Sequence, residues 1–191
     1  MATTEPILSQ LLERLHAWPL PAGGPRIVCI DGPAGSGKTT LAAQLAAPLG
    51  APTVHMDDLY DGWTGVEKGA DILVADILTP LAAGKPAHYR RYDWVLGEYA
   101  ERHHVEDVGW LVVEGCASAT TIVDNFGPFI IWVETDSHTR LARGLERDGQ
   151  DMEENWRAFM ELEMVLYEHN RTRERAHVRL DGYGQIVSER D

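Results

Sequence analysis

One run of residues restricts this chain more than any other feature. Gly32-Pro33-Ala34-Gly35-Ser36-Gly37-Lys38-Thr39-Thr40 follows a short β-branched segment, Arg26 to Ile30, and precedes a helical pattern. That pattern runs from Thr39 to Leu49, sets Leu41, Leu45 and Leu49 on one face, and is closed by Gly50. The run matches G-x-x-x-x-G-K-[ST] in the strand–loop–helix context that gives the motif meaning. Its glycines let successive backbone N–H groups turn inward as a nest for phosphate oxygens. The start of the helix adds positive potential there.

The rest of the chain repeats the alternation of strand and helix. Thr53 to Met56, Trp110 to Val113, Phe129 to Val133 and His177 to Leu180 read as further short apolar strands. Helices are expected over Ile72 to Ala83, with Pro80 as a break, and from Asp136 or Ser137 to about Asp148. Another is expected over Met152 to Asn170. The fold class is therefore α/β, a three-layer α/β/α sandwich on a five-stranded parallel sheet. One domain over 1–191 fits this length, with an N-terminal helix at 6–18, a core at 26–182 and a lid region near 136–151. That first helix is placed to pack on the body or on a second copy in a homodimer. Ligands of such sheets bind beyond the carboxyl ends of the strands, so the residues after each strand are the ones to inspect.

Charge narrows the partners. Seventeen basic against thirty acidic residues leave −13, which disfavours nucleic acid and anionic membranes. A phosphorylated ligand must be held by a local device, and the loop supplies one. Gly32, Ala34, Gly35, Ser36, Gly37, Lys38, Thr39 and Thr40 are the expected nucleotide-binding positions. Lys38 brings a charge to the β- and γ-phosphates, and the Thr39 hydroxyl suits Mg²⁺. ATP with Mg²⁺ is thus the expected cofactor set. Both cysteines, Cys29 and Cys116, adjoin apolar strands and read as buried, reduced thiols. With no secretory leader and no apolar run long enough to cross a membrane, a cytoplasmic location is expected.

Carboxylates stand where a phosphate acceptor would be activated. Asp57, just after the second strand, can take the proton of an attacking hydroxyl; Asp58 follows it. This reading puts the second strand beside the loop-bearing strand. Glu114, at the end of Trp110 to Val113, has the placement of a group that holds Mg²⁺ or its water. Arg140, Arg143 and Arg147 share one helical face and read as lid cations over the phosphates. His88 to Trp94 packs aromatic, cationic and acidic groups together, and Trp63 is near enough in sequence to join them. Asp93 can accept from hydroxyls, while Arg91 would suit an acidic acceptor. Trp156, Phe159 and Met160 form a stripe read as core.

These segments, in this order, resemble the uridine kinase-like group of P-loop kinases: Gly32–Thr40, Asp57-Asp58-Leu59-Tyr60, Tyr92-Asp93-Trp94, Glu114-Gly115 and Arg140-Leu141…Arg143…Arg147-Asp148. The likeness spans about residues 26–182. It implies transfer of the γ-phosphate of ATP·Mg to a hydroxyl of a small-molecule acceptor, nucleoside-like, with Asp57 as base. It also implies Glu114 near the metal, lid arginines, and Tyr60, Tyr92 and Asp93 along the acceptor pocket. The stretch Val95-Leu96-Gly97-Glu98 stands where nucleoside kinases of this group carry a base-reading histidine. A nucleoside monophosphate kinase is the first alternative, and a nucleotide hydrolase or switch the second. No Asn-Lys-x-Asp element is present to read guanine.

Overall fold

The computed structural model describes residues 4–106 and 108–189, so both ends of the expected 1–191 domain lie outside the described residues. The loop-bearing strand β1 (Arg26–Asp31) is the centre of the sheet. It pairs in parallel with β5 (Trp110–Glu114) on one side and β6 (Phe129–Glu134) on the other. Outside β5 lies β2 (Thr53–His55); outside β6 lies β7 (Val178–Asp181), both parallel. A sixth strand, β8 (Ile186–Glu189), adds antiparallel to β7 and completes the order β2-β5-β1-β6-β7-β8. The expected sheet of five parallel strands is therefore present with one more edge strand. Residues 182–185 turn the chain through Gly184, at φ +79°, which a short hairpin connection needs. The second strand is also not next to β1, because β5 stands between them.

Successive β1 side chains enter different layers, because strand residues alternate faces. Val28 and Ile30 pack with α1 (Glu5–Ala17) and α2 (Lys38–Leu49) through Leu11, Leu15, Leu41 and Leu45. Leu11 and Leu15 are fully buried, so each contributes about 2 kcal/mol of transfer free energy. The N-terminal helix therefore packs on the body of its own chain, and the Trp18 indole N–H reaches Gly127 O. Ile27 and Cys29 face the opposite layer. That layer is built by α3 (Val66–Ile72), a π-helical segment at Leu73–Leu78, α4 (Thr79–Ala82) and α6 (Glu153–Asn170).

The helical run starts at Val66, six residues before the expected Ile72. Glycine and alanine dilute its apolar signal, yet Gly69 and Ala70 are buried within it. The wide π turn precedes Pro80, whose missing N–H breaks regular i→i−4 bonding. After Gly84 the chain forms a hairpin, β3 (Ala87–Asp93) with antiparallel β4 (Glu98–Val105). The remaining helices are α5 (Ser137–Asp148), capped by Asp136 accepting the Thr139 N–H, and the short α7 (Thr172–Arg175). Cys29 and Cys116 are both buried free thiols. Among the described residues, no helix is long and apolar enough to cross a membrane.

Candidate active site

The carboxyl ends of β1, β2 and β5 open into a cavity of about 740 Å³, bounded opposite by α5, α6 and the hairpin tip. Its polar end is the loop after β1. Every loop N–H can be accounted for. Gly32 N donates to Asp31 Oδ1 at 2.7 Å, Ala34 N to Glu163 Oε2 at 2.8 Å, and Ser36 N to Pro33 O at 3.2 Å. Among the described residues, the N–H groups of Gly35, Gly37, Lys38, Thr39 and Thr40 have no protein partner. All five of those residues line the cavity. Gly32, Ala34 and Ser36 were expected among the nucleotide-binding positions, but their N–H groups are spent within the protein. Gly32, Gly35 and Gly37 have positive φ, which lets neighbouring peptides of the loop point in different directions.

Lys38 is buried, and its ammonium donates to Pro33 O at 3.0 Å. Desolvation works against its charge. Cys116 and the carboxylates of Glu114, Glu163 and Asp31 outweigh that cost and raise its pKa. The Thr39 hydroxyl donates to Glu114 Oε1 at 3.2 Å, and His55 Nδ1 lies 2.6 Å from the same oxygen. That contact is the main reason the His55 pKa is raised. A hydroxyl beside a carboxylate is the hard-oxygen donor pair that suits Mg²⁺. Among the described residues, no group of three or more His, Cys, Asp or Glu side chains could hold a metal unaided.

Asp57 sits on the short 3-10 turn Met56–Asp58 that follows β2. Its carboxylate is open to the cavity yet crowded by protein. Desolvation is the main cause of its raised pKa, with repulsion from Glu114 next and Lys38 opposing. Trp94 fixes the turn by donating its indole N–H to Asp57 O at 2.9 Å. Asp58 also lines the cavity; burial raises its pKa, opposed by the charges of His55, His103 and Arg91.

The three arginines of α5 separate. Arg143 donates to Gly35 O at 3.1 Å and lines the cavity, as does Arg147, whose guanidinium grips Asp148 through two bonds of 2.7 and 2.9 Å. Arg140 does not reach the cavity; it is buried against Glu163 behind the loop. The helical spacing is as expected, but the helix rotates its first arginine into the protein. At Gly144 the helix rests on the Trp156 ring, where a Cβ would stand 2.3 Å from a ring carbon.

Another part of the cavity lining is aromatic. Tyr60, Trp63, Trp94, Trp156 and Phe159 form it, with Trp63 edge-on to Trp94, Trp156 and Phe159 at 5.7, 6.1 and 5.8 Å. Trp156 and Phe159 are thus core residues whose outer surface forms the wall. Arg91, Tyr92 and Asp93 do not line the cavity. Arg91 pairs with Glu101 and Asp93, Asp93 accepts the Val95 and Leu96 N–H groups, and Tyr92 packs on Trp94 and Tyr99. They build the hairpin tip that delivers Trp94 and Val95. The lining residues of the tip, Trp94 and Val95, directly follow the expected ones in the chain.

Sequence reasoning passed over Asp31 and Glu163, both buried polar groups behind the loop. An aspartate directly preceding the first glycine, and a glutamate within an apolar helical stripe, were the available signals. Asp31 accepts from Gly32 N, from Ala119 N at 2.8 Å and from the Tyr167 hydroxyl at 3.0 Å. Burial nevertheless pushes its pKa up from 3.8 to about 6. The folded state then holds this proton more tightly than the unfolded chain between those values. The contribution of Asp31 to stability is fully present below the unfolded value and is lost as pH rises through about 6, by about 3 kcal/mol. Denaturant unfolding from pH 4 to 7 should show that fall in the wild type and a flatter profile in Asp31→Asn. Parallel profiles would contradict it.

No family model and no curated protein sequence matches the chain. Solved structures do. One of "a Possible Uridine Kinase from Bacillus stearothermophilus" superposes with a TM-score of 0.65, covering 91% of this chain and 97% of that one at 21% identity. The D-glycerate 3-kinase from Cryptococcus neoformans var. grubii gives 0.60, covering 97% and 96% at 13% identity. The shared feature at such identities is the architecture. The chain has the fold of the P-loop kinases.

Proposed function

We propose that the protein is an ATP-dependent phosphotransferase of the uridine kinase-like group, moving the γ-phosphate of ATP·Mg to a hydroxyl of a small, nucleoside-like metabolite. One observation carries this reading. Gly35, Gly37, Lys38, Thr39 and Thr40, whose N–H groups have no protein partner among the described residues, line the same cavity as Asp57 and the aromatic wall. The kinase names borne by structures of the same fold support it.

The loop N–H groups and Lys38 would hold the β- and γ-phosphates, with Arg143 and Arg147 adding positive charge from α5. Thr39 and Glu114 would hold Mg²⁺, which offsets charge on the phosphates when bound. Asp57 accepts the proton of the acceptor hydroxyl. The acceptor oxygen bonds to the γ-phosphorus while the bond from that phosphorus to the β,γ-bridging oxygen breaks, and ADP leaves. Asp57 later returns the proton to solvent. The aromatic wall would exclude water and stack the acceptor's planar part. Its preference for a flat ring supports a nucleoside-like body, and no residue on it singles out a base.

The test is ADP release from ATP·Mg with nucleosides, nucleoside monophosphates and hydroxylated small metabolites, beside a control lacking acceptor. Release that requires one acceptor class is the expected result and names the substrate. Release that proceeds without acceptor and is unchanged by every one would overturn the kinase in favour of a hydrolase.

A further inference from the structure

The loop is held from behind by side chains that no phosphate would touch. Glu163, on α6, is 1% exposed. One of its carboxylate oxygens accepts the Ala34 N–H at 2.8 Å, and the other pairs with Arg140. The same Arg140 nitrogen donates to Ala34 O at 3.1 Å. Both polar groups of Ala34 are thereby fixed by one ion pair. One helical turn after Glu163, the Tyr167 hydroxyl meets Gly32 O at 2.7 Å. The first residues of the loop are thus anchored to α5 and α6.

A buried ion pair is a weak source of stability, since desolvation offsets most of its attraction. Its placement on a loop backbone is more informative. A glycine-rich loop has many accessible peptide orientations, and a phosphate nest needs one of them. Glu163 takes up the Ala34 N–H, while the next N–H, that of Gly35, has no protein partner among the described residues and belongs to a residue lining the cavity. Donors fixed in advance cost nothing to orient when the anion arrives.

We propose that Glu163, with Arg140 and Tyr167, forms a clamp of positioning residues that presets the phosphate loop for nucleotide. The proposal rests on the nucleotide reading of the loop given above. It also assigns Arg140 a place behind the loop, where the helical spacing alone suggested a lid.

The experiment uses the full chain and titrates adenosine 5′-(β,γ-imido)triphosphate with Mg²⁺ into wild type, Glu163→Gln, Glu163→Ala and Tyr167→Phe by calorimetry. Thermal unfolding without nucleotide runs alongside. Glu163→Gln keeps an oxygen for Ala34 N–H but loses the charge; Tyr167→Phe removes one hydroxyl and keeps the ring. The expected result is a Kd raised about tenfold or more in Glu163→Ala, as for a lost charge-assisted hydrogen bond, with partial rescue in Glu163→Gln. Tyr167→Phe should remain folded and bind several-fold more weakly. Where turnover is measurable, KM for nucleotide should rise with kcat little changed. Tight wild-type binding that Tyr167→Phe and Glu163→Gln leave within twofold would overturn the clamp alone. Failure of the wild type to bind the nucleotide would overturn the nucleotide reading and the clamp with it.

Discussion

Replacing Asp57 with Asn should lower phosphate transfer by about 10²- to 10⁴-fold, the contribution of a positioned general base, and leave nucleotide affinity within about twofold. The two side chains have nearly the same shape, and the turn that carries residue 57 is held through its backbone by Trp94. What the amide lacks is the capacity to take a proton. The pH profile gives a second readout. Desolvation and Glu114 raise the Asp57 pKa, so the wild-type base becomes protonated, and inactive, at a higher pH than an ordinary aspartate would. The acid limb of kcat/KM should lie correspondingly higher and should be absent from the residual activity of Asp57→Asn. Asp58→Asn is the comparison variant, because Asp58 is the next residue and lines the same cavity, so a larger loss there would move the role of base to it. Turnover by Asp57→Asn within tenfold of wild type would remove this residue from the role of base.

The contrast between Asp57 and Arg140 shows what the chain makes legible. Residues that close a parallel strand are readable, because the five parallel strands all end at one edge of the sheet. Lys38, Thr39, Asp57 and Glu114 follow strands or start the helix after one, and the structure brings them to one cavity. Residues on helices are less readable. Spacing reveals a shared face but not what that face meets, so Arg140, Arg143 and Arg147 look equivalent in sequence and only two reach the cavity. The loop glycines pose the same difficulty at the backbone level. Their positions are evident, but which peptides face forward depends on Glu163, more than a hundred residues away. The wall was obscured for another reason. Trp156 and Phe159 obey the periodicity of a core helix, and they are buried; a cavity beside the core uses the same residues. Strand order was illegible altogether, since short apolar strands carry no mark of their neighbours, and β5 enters between β1 and β2.

Replacing Gly32 with Ala should destabilise the fold by about 3–5 kcal/mol, a large fraction of the stability of an ordinary domain. Two causes act together. The backbone is at φ +138°, which side chains with a Cβ rarely adopt, and an added Cβ would stand 2.0 Å from Val133 O. That oxygen belongs to β6, whose Val133 is in register with Leu180 of β7, so it cannot retreat without disturbing the sheet. The chain therefore needs glycine here so that the loop can leave β1 across the end of β6, before any ligand is considered. Gly37→Ala separates this packing demand from the conformational one. Its φ is +103°, but nothing lies within 4 Å of an added Cβ. Backbone strain alone should cost about 1–3 kcal/mol, and the protein should remain folded while losing phosphate affinity. Urea unfolding of the two variants distinguishes these contributions. Equal midpoints for Gly32→Ala and wild type would show that the close approach of loop and strand is not maintained in solution. A large loss at Gly32 with a small one at Gly37 would show that the first glycine of the motif answers to the sheet and the last only to its own backbone conformation.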